Sequence, residues 1–375
     1  MIEVLRAGAL TTVQDPGRHG YRHLGVATAG ALDALALEVG NRLVGNRPDA
    51  AGIEVTLGPV VLRFARATRI AVTGADYGAT LGTNAGTSAG TNVDTSAVWP
   101  WWSLPVAAGE ELVLNNAQRG MRAYVCVAGG IDVLPILGSR STDLTAGFGG
   151  LAGRALKDGD RLATGASAAP GPERVSLSPD APPFGVKSPS LCDFGYVHEP
   201  HRQRGRRTNA NADAWTVVRV RVLRGPEYDS FTPEAQDAFW SEEWRVTPNS
   251  NRMGYRLSGT ALARESGADL LSHAVLPGTV QVPPNGQPIV LMSDAQTTGG
   301  YPKIGSVIRA DLWKLAQVRL MGGVCFVPTT PALARKALED ELAYLRQIDA
   351  AIAMHDEHYA RRCGMAQPAQ RAQRA

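Results

Sequence analysis

The sequence predicts a mainly β fold built from two domains. Short strand-like segments recur along the chain, and turns rich in Gly, Asn, Asp and Pro separate them, which is typical of β-barrels and β-sandwiches. Sustained helical periodicity is rare and is longest near the C-terminus. With 375 residues, the chain is long enough for two hydrophobic cores.

Composition divides the chain into five segments. We expect a first β domain at residues 1–164, a linker or insertion rich in Pro and Arg at 165–215, and a second β domain at 216–330. A C-terminal amphipathic helix is expected at 331–363 and a disordered tail at 364–375. The helix prediction depends on apolar residues at helical spacing, namely Leu338, Leu342, Leu345, Ile348 and Ile352.

The first domain is expected to hold one clear helix among its strands. An apolar face repeats at helical spacing through Leu32, Leu35, Ala36, Val39 and Leu43. Asp33 stands at the N-cap position of this helix, and Gly45 with Asn46 resembles a glycine C-cap. Strands are expected at residues 60–64, 69–72, 111–114 and 122–127.

The second domain is expected to be mostly strand. It begins with an alternating strand at 217–223, and Thr232 followed by Pro233 predicts the start of a short helix. A hairpin is expected at 244–257. Later strands are expected at 279–282, 289–292 and 324–327.

Charge and composition exclude several classes of protein. The net charge is +3, no apolar run approaches the roughly 18 residues of a membrane helix, and the N-terminus lacks a basic signal-peptide start. We therefore expect a cytoplasmic protein that spans no membrane. His355 and His358 lack a third ligand, so no metal site is predicted. The basic run at 198–207 lacks interleaved aromatic residues, which favours a solvated insertion over a nucleic-acid site.

The densest group of polar residues lies at 294–303, directly after a predicted buried strand. Its glycines let a backbone approach a ligand closely. The segment contains Asp294, Gln296, Thr297, Thr298, Gly299, Gly300, Tyr301 and Lys303. Polar groups beside a buried strand are costly unless they form hydrogen bonds. The segment is therefore either a turn that satisfies its own backbone or a binding site.

Several long motifs occur in one order along residues 1–330. They are TTVQDPGRHGY at 11–21, GALD at 30–33, NRLVGN at 41–46, GGIDVLPILGSRST at 129–142, SNRMGYRL at 250–257 and DAQTTGGYP at 294–302. Together they resemble the family of allophanate hydrolase subunit 2, which is also called the 5-oxoprolinase C subunit family or the KipA-like biotin-dependent carboxyltransferase family. The chain departs from the family pattern where His273 replaces a common Glu and Leu32 replaces a common Met.

The resemblance implies a pair of cyclophilin-like β-barrel domains and two candidate reactions. Relatives support the ATP-dependent opening of 5-oxoproline to L-glutamate with partner subunits. A domain of this kind also forms half of the carboxyltransferase of urea carboxylase, which moves a carboxyl group from carboxybiotin to a urea nitrogen. Both reactions act on an amide-like N–C=O group. A third interpretation, suggested by the family name, is a regulatory binding module that antagonises a kinase inhibitor.

Either reaction needs donors aimed at a carbonyl oxygen and a group that handles a proton on nitrogen. We expect Arg252, Lys303 and Tyr301 to be the donors. Asp294 and Asp33 are the carboxylates expected to orient the substrate or accept a proton. Groups that suit recognition of an amide are Asn251, Gln296, Thr297, Gly299, Gly300 and Asn46. We expect segment 294–303 to face Asp33 or Asn46 across a cleft between the domains.

The chain is also expected to work with partners. It contains neither a GxxxxGK(S/T) phosphate loop nor a Met-Lys-Met sequence that would carry biotin. ATP or carboxybiotin would therefore be supplied together with partner subunits. The resemblance identifies these as proteins like the B and A subunits of 5-oxoprolinase, in a hetero-oligomer. We expect a small-molecule amide substrate and no metal, nucleic-acid or membrane partner.

Overall fold

The computed structural model describes residues 1–83, 95–166, 178, 181–189, 217–265 and 270–363. Within it the chain divides into two compact units, each made of segments that are distant in sequence. The first unit contains Met1–Gly17, Ala34–Ser188 and Ala343–Ala375, and the second contains Arg18–Asp33 and Pro189–Leu342. Most of the expected linker, with its basic run at 198–207, and the expected tail at 364–375 lie outside the described residues.

The first unit consists of twelve described strands, one complete helix and the later part of the C-terminal helix, from residue 343. The strands are β1 Ile2–Arg6, β2 Leu10–Gln14, β3 Gly52–Leu57, β4 Val60–Phe64, β5 Thr68–Asp76, β6 Ala79–Gly82, β7 Thr95–Val98, β8 Trp102–Val106, β9 Glu111–Leu114, β10 Arg119–Val127, β11 Arg161–Leu162 and β12 Phe184–Gly185. They form two six-stranded sheets, in the orders β11-β1-β4-β9-β6-β7 and β12-β8-β5-β10-β3-β2. The helix α1 spans Ala34–Leu43.

Alternation along the strands explains how the first unit packs. Buried apolar side chains from both sheets form one core, to which β3 contributes Ile53 and Val55. The opposite face of the second sheet is buried as well, because α1 packs against β5 and β10. On that face the Thr73 hydroxyl donates a 2.7 Å hydrogen bond to the carbonyl of Ala36 in α1. The unit is therefore a layered β structure with a helix on one face.

The second unit is built around a closed barrel. Its strands are β13 Val217–Arg224, β14 Trp244–Val246, β15 Gly254–Ser258, β16 His273–Ala274, β17 Thr279–Gln281, β18 Ile289–Leu291, β19 Thr298–Gly299, β20 Lys303–Val307 and β21 Gly323–Pro328. Seven of them close in the order β13-β20-β17-β18-β15-β14-β21, and β16 pairs with β19 in a separate two-stranded sheet. The strand β13 runs parallel to β21 and antiparallel to β20.

Three helices accompany the barrel strands along the chain: α2 Pro233–Ser241, α3 Leu312–Ala316 and α4 Pro331–Arg362. The start of α2 has the predicted chemistry, because the Thr232 hydroxyl accepts a 3.3 Å hydrogen bond from the Ala235 amide and Pro233 follows the cap. The barrel interior holds Val220, Val222, Trp244 and Phe239, all fully buried. The predictions of a mainly β fold and of a C-terminal helix are confirmed.

Among the described residues, no helix is long and apolar enough to cross a membrane. The same part contains no group of three or more His, Cys, Asp or Glu side chains placed to hold a metal ion.

Candidate functional site

The polar segment 294–303 lies in the second unit and leads from the barrel strand β18 to β20. Midway along it, β19 pairs with β16, so that His273 is opposite Gly299 and Ala274 is opposite Thr298. The Val275 amide also donates a 3.0 Å hydrogen bond to the carbonyl of Thr297. The segment is thus held against residues 273–275 by backbone hydrogen bonds.

Asp294 forms a bidentate ion pair with Arg252. The Arg252 Nε and Nη2 atoms each lie 2.9 Å from one carboxylate oxygen of Asp294. Both residues are only 3% exposed. The Asp294 amide also donates to the carbonyl of Arg252 at 3.0 Å. A buried, two-point pair of this kind fixes both side chains, because separating them would leave a charge without compensation in a dry environment.

The same arginine connects the polar segment to the N-terminal piece of the second unit. Arg252 Nη2 donates a 2.6 Å hydrogen bond to the carbonyl of Gly30. Nearby along that piece, the Ala29 amide donates to the carbonyl of Ser293 at 3.0 Å. Ala29 is therefore joined to Ser293 by a backbone hydrogen bond, and Gly30 is joined to Arg252, the partner of Asp294, by a side-chain hydrogen bond.

Arg22 provides a second connection between the same two segments. Its Nη2 donates to the carbonyl of Val275 at 2.6 Å and to that of Gln296 at 3.0 Å. Partial burial lowers the pKa of Arg22 from its ordinary value. Val275 follows β16 and Gln296 precedes β19. Because one guanidinium binds both carbonyls, it holds the two strands together.

Lys303 carries the buried ammonium of the site. It is 3% exposed, and its Nζ donates to the carbonyl of Gly299 at 3.0 Å and lies 2.5 Å from Nε2 of His273. Its backbone amide donates to Glu227 at 2.8 Å. Desolvation lowers the pKa of Lys303, and the negative charge of Glu227 opposes that shift.

The two glycines lie where the segment closely approaches its neighbours. A Cβ on Gly299 would lie 2.6 Å from Nε2 of Gln281, and one on Gly300 would lie 3.2 Å from both the Leu270 carbonyl and the Ser272 hydroxyl. The buried Gln281 lies opposite Lys303 in the ladder between β17 and β20. Position 299 therefore has no room for a side chain unless Gln281 moves.

Several predicted binding side chains are open to solvent. Gln296 and Thr298 are exposed, Thr297 is half-buried, and Tyr301 is 47% exposed. These groups precede the buried Lys303 in sequence and are accessible to a ligand. The prediction that they bind substrate stays a prediction.

Asp33 lies in the second unit and is 2% exposed. Its Oδ2 accepts a 2.7 Å hydrogen bond from Nε2 of Gln317, directly after α3. Close by in sequence, Asp311 accepts from Arg221 through both of its oxygens and lies 2.8 Å from Nζ of the fully buried Lys314. Sequence analysis did not single out this second buried charge cluster, whose residues are dispersed over 94 positions from Arg221 to Lys314.

Both predicted asparagines hold turns. Asn251 Oδ1 accepts from the amides of Met253 at 2.9 Å and Gly254 at 3.3 Å. Asn46 lies in the first unit, where its Nδ2 donates to the Val127 carbonyl at 2.8 Å and to Asn41 at 3.0 Å, and its Oδ1 accepts from the Gly129 amide at 2.8 Å. The expectation that Asp33 or Asn46 faces segment 294–303 stays a prediction.

Sequence analysis did not predict three residues that contribute to the site. Glu227 and Arg22 gave no signal, because each lies far along the chain from the polar segment. His273 was noticed only as a departure from the family pattern. The position of His273 follows from the pairing of residues 273–274 with residues 298–299. Each of these strands has two residues, which is too short for sequence periodicity to detect.

Comparison with known proteins places this geometry in a family. A family model described as carboxyltransferase domain, subdomain A and B, matches residues 24–328. The chain belongs to that carboxyltransferase family. The matched range includes Asp33, Arg252, Asp294 and Lys303. The family membership that the motifs predicted is confirmed.

Two curated relatives represent two kinds of enzyme. The 5-oxoprolinase C subunit of Escherichia coli (strain K12) is 45% identical over 358 residues, which cover 96% of this chain and 100% of that protein. The urea amidolyase of Lachancea kluyveri is 33% identical over 365 residues, which cover 92% of this chain but 18% of that protein.

A solved structure also shows similarity to a urea amidolyase. The crystal structure of the K. lactis urea amidolyase superimposes with a TM-score of 0.75 at 28% identity, over 92% of this chain and 20% of that one. This carboxyltransferase family member therefore shares its fold with one fifth of a much longer enzyme. Its similarity to the Escherichia coli protein extends over that protein's whole length.

Proposed function

We propose that this carboxyltransferase family member is the C subunit of a 5-oxoprolinase, which with partner subunits opens 5-oxoproline to L-glutamate at the expense of ATP. One observation carries the proposal: the 45% identity to the Escherichia coli 5-oxoprolinase C subunit, which extends over 100% of that protein. The match to urea amidolyase is weaker and covers 18% of the longer protein.

The chemistry of the site agrees with a lactam substrate. Opening the ring requires stabilisation of charge on the carbonyl oxygen and a proton for the departing nitrogen. Lys303 supplies a buried, positively charged donor whose pKa is lowered by desolvation, which makes proton release easier at moderate pH. The exposed Gln296 and Thr298 and the half-buried Thr297 lie in the same short segment and offer the amide and hydroxyl groups that recognise an N–C=O unit.

The buried Arg252–Asp294 pair has a positioning role in this proposal. Both oxygens of Asp294 are engaged by Arg252, so the pair fixes the start of the segment that contains Gln296 and Lys303. ATP would be bound together with the A-like and B-like partner subunits. Asp33 is proposed as a second carboxylate of the site, oriented by Gln317.

A specific observation favours a second candidate, carboxyl transfer from carboxybiotin to urea or a related compound. The family model is that of a carboxyltransferase domain, and the K. lactis urea amidolyase shares the fold. The two candidates differ in what they consume. The first needs ATP and 5-oxoproline, whereas the second needs a biotin carrier and a urea-like acceptor.

Reconstitution distinguishes the candidates. The full chain is co-expressed with its A-like and B-like partner subunits, purified as a complex, and supplied in turn with 5-oxoproline plus ATP and with urea, bicarbonate, ATP and a biotinylated carrier protein. Formation of L-glutamate and ADP in the first mixture is expected. Glutamate at background level, together with carboxylation of urea in the second mixture, would replace the proposal with the second candidate.

A further inference from the structure

Two titratable side chains of the second unit converge on one imidazole nitrogen. Nζ of Lys303 lies 2.5 Å from Nε2 of His273, and Oε1 of Glu227 lies 3.3 Å from the same nitrogen. The other oxygen of Glu227 accepts a 2.8 Å hydrogen bond from the backbone amide of Lys303. A single ring nitrogen therefore faces both an ammonium and a carboxylate.

That nitrogen satisfies only one of the two neighbours at a time. It accepts from the Lys303 ammonium when the ring is neutral and protonated on Nδ1, and it donates to Glu227 when Nε2 carries a proton. An ammonium and an imidazolium in direct contact repel each other, so the protonation of one side chain opposes that of the other. The Lys303 ammonium and the His273 ring therefore share one hydrogen bond.

Exposure distinguishes the two basic groups. Lys303 is 3% exposed, whereas the His273 side chain is 46% exposed. Nζ of Lys303 also donates to the carbonyl of Gly299 in the polar segment. The lysine thus lies beside the proposed substrate contacts, and the histidine lies between it and solvent.

The surrounding charges bear on the same pair. Among the described residues, Glu227 is the carboxylate in contact with it, and it approaches from the turn after β13. Arg22 approaches from the N-terminal piece and donates to the carbonyls of Val275 and Gln296, next to β16 and β19. Arg224 lies 4.6 Å from the ring of Tyr228, the neighbour of Glu227. Of these charges, Glu227 favours the protonated form of Lys303.

We propose that His273 and Glu227 form a proton relay for Lys303. This proposal rests on the proposed function. The Lys303 ammonium gives a proton to the lactam nitrogen as the C–N bond breaks and its electron pair moves to nitrogen. ATP, bound with the partner subunits, drives the opening and is converted with a second water molecule to ADP and phosphate, while the first water molecule supplies hydroxide to the carbonyl carbon and releases its proton to solvent. Nε2 of His273 takes a proton from solvent and passes it to the neutral Lys303 amine, while Glu227 stabilises the transient imidazolium. Protons and electrons balance over the cycle.

The relay can be tested without turnover. The chain has five lysines, so nitrogen-15 labelling of lysine gives few Nζ signals in the full-length protein, and Lys303→Arg assigns the one from Lys303. We expect the Nζ signal of Lys303 to titrate in two steps in the wild-type protein. In His273→Gln, which keeps hydrogen-bonding capacity without a titrating ring, Lys303 should titrate in one step. Lys336, exposed and paired with Asp340, is the internal control in both proteins.

A second measurement connects the relay to the reaction. In the reconstituted complex, His273→Gln should lower kcat about tenfold to hundredfold and shift a limb of the pH profile, with a smaller change in KM for 5-oxoproline. Glu227→Gln should shift the same limb. The exposed histidine His358 lies on α4, and His358→Gln should leave the profile unchanged.

The outcomes separate the relay from the proposed function. A two-step Lys303 titration that becomes one step in His273→Gln, without glutamate formation by the wild-type complex, would overturn the function and leave the contact between Lys303 and His273 standing. Normal glutamate formation, with the same pH profile and the same Lys303 titration in wild type and His273→Gln, would overturn the relay alone.

Discussion

Arg252 and Asp294 use two parallel 2.9 Å hydrogen bonds to form an ion pair in which each residue is 3% exposed. A carboxylate engaged through both oxygens cannot also act freely as a base. The sequence predicted Asp294 as a carboxylate that orients the substrate or accepts a proton, and that role stays a prediction. The geometry indicates that the pair also stabilises the second unit and fixes the start of segment 294–303.

Our first prediction concerns this pair. Asp294→Asn keeps the shape of the side chain but leaves the Arg252 guanidinium buried without its counter-charge, so the free energy of unfolding should fall by about 3–5 kcal/mol. Chemical denaturation of the isolated chain measures this change. Asp340→Asn, which breaks the exposed pair with Lys336, should cost less than about 1 kcal/mol. Equal, small losses in both variants would show that the buried pair is not stabilising.

The same variant addresses turnover. If the pair positions segment 294–303, the folded fraction of Asp294→Asn should lose roughly 10²-fold in glutamate formation. Thr298→Ala, in the same segment but exposed, should lose less and should unfold at the wild-type denaturant concentration. Wild-type turnover per folded molecule in Asp294→Asn would remove Asp294 from the site.

Our second prediction uses the pH dependence of the buried Asp311. Burial alone would raise its pKa, but the hydrogen bonds from Arg221 and the charge of Lys314 outweigh burial, and the pKa of Asp311 is lowered. A carboxyl whose folded pKa is depressed adds stability that is present above its unfolded value of about 3.9 and is lost as pH falls through the folded pKa. Arg221→Gln removes part of that depression. It should therefore destabilise the protein at pH 6 more than at pH 3.

Denaturation at both pH values checks this expectation. The matched control is Arg47→Gln, because Arg47 also lowers the pKa of an aspartate, Asp49, but the pair is exposed, with side-chain exposures of 83% and 58%. Solvent screening makes that contribution small, so Arg47→Gln should change stability little at either pH. A destabilisation by Arg221→Gln that is the same at pH 3 and pH 6 would contradict the assignment to Asp311.

Our third prediction concerns Arg22. Arg22→Ala removes the guanidinium that spans the carbonyls of Val275 and Gln296 and leaves both strands of the β16–β19 ladder without that brace. KM for 5-oxoproline should rise several-fold, while the thermal midpoint should fall by only a few degrees because the barrel core is unchanged. Arg22→Lys retains the charge but not the two-carbonyl geometry, so it should restore little of the affinity. Full recovery in Arg22→Lys would show that charge alone is needed.

Our fourth prediction tests the role of Asn46. Its side chain makes three hydrogen bonds within the first unit, so Asn46→Ala should lower the free energy of unfolding by about 1–3 kcal/mol. Denaturation and steady-state kinetics are measured on the same preparation. A raised KM with unchanged stability would favour the substrate contact that the sequence suggested.

Local sequence determined the secondary structure to a large extent. The start of α2 at Thr232 and Pro233 follows from local capping chemistry, which needs no partner from elsewhere in the chain. The apolar spacing of Leu345, Ile348 and Ile352 placed these residues on the buried side of α4. The long motifs at 250–257 and 294–302 also identified the family and the segments that carry Arg252, Asp294 and Lys303.

Only the tertiary structure decided what those side chains do. Asp294 and Arg252 are 42 positions apart, and Glu227, His273 and Lys303 extend over 76, so no local pattern records that they meet. The tertiary fold brings these residues together and leaves Arg252, Asp294 and Lys303 each only 3% exposed. A buried charge is tolerated only beside a group that compensates it. The neighbouring group, rather than the residue type, therefore determines whether a charged side chain positions the segment or transfers a proton.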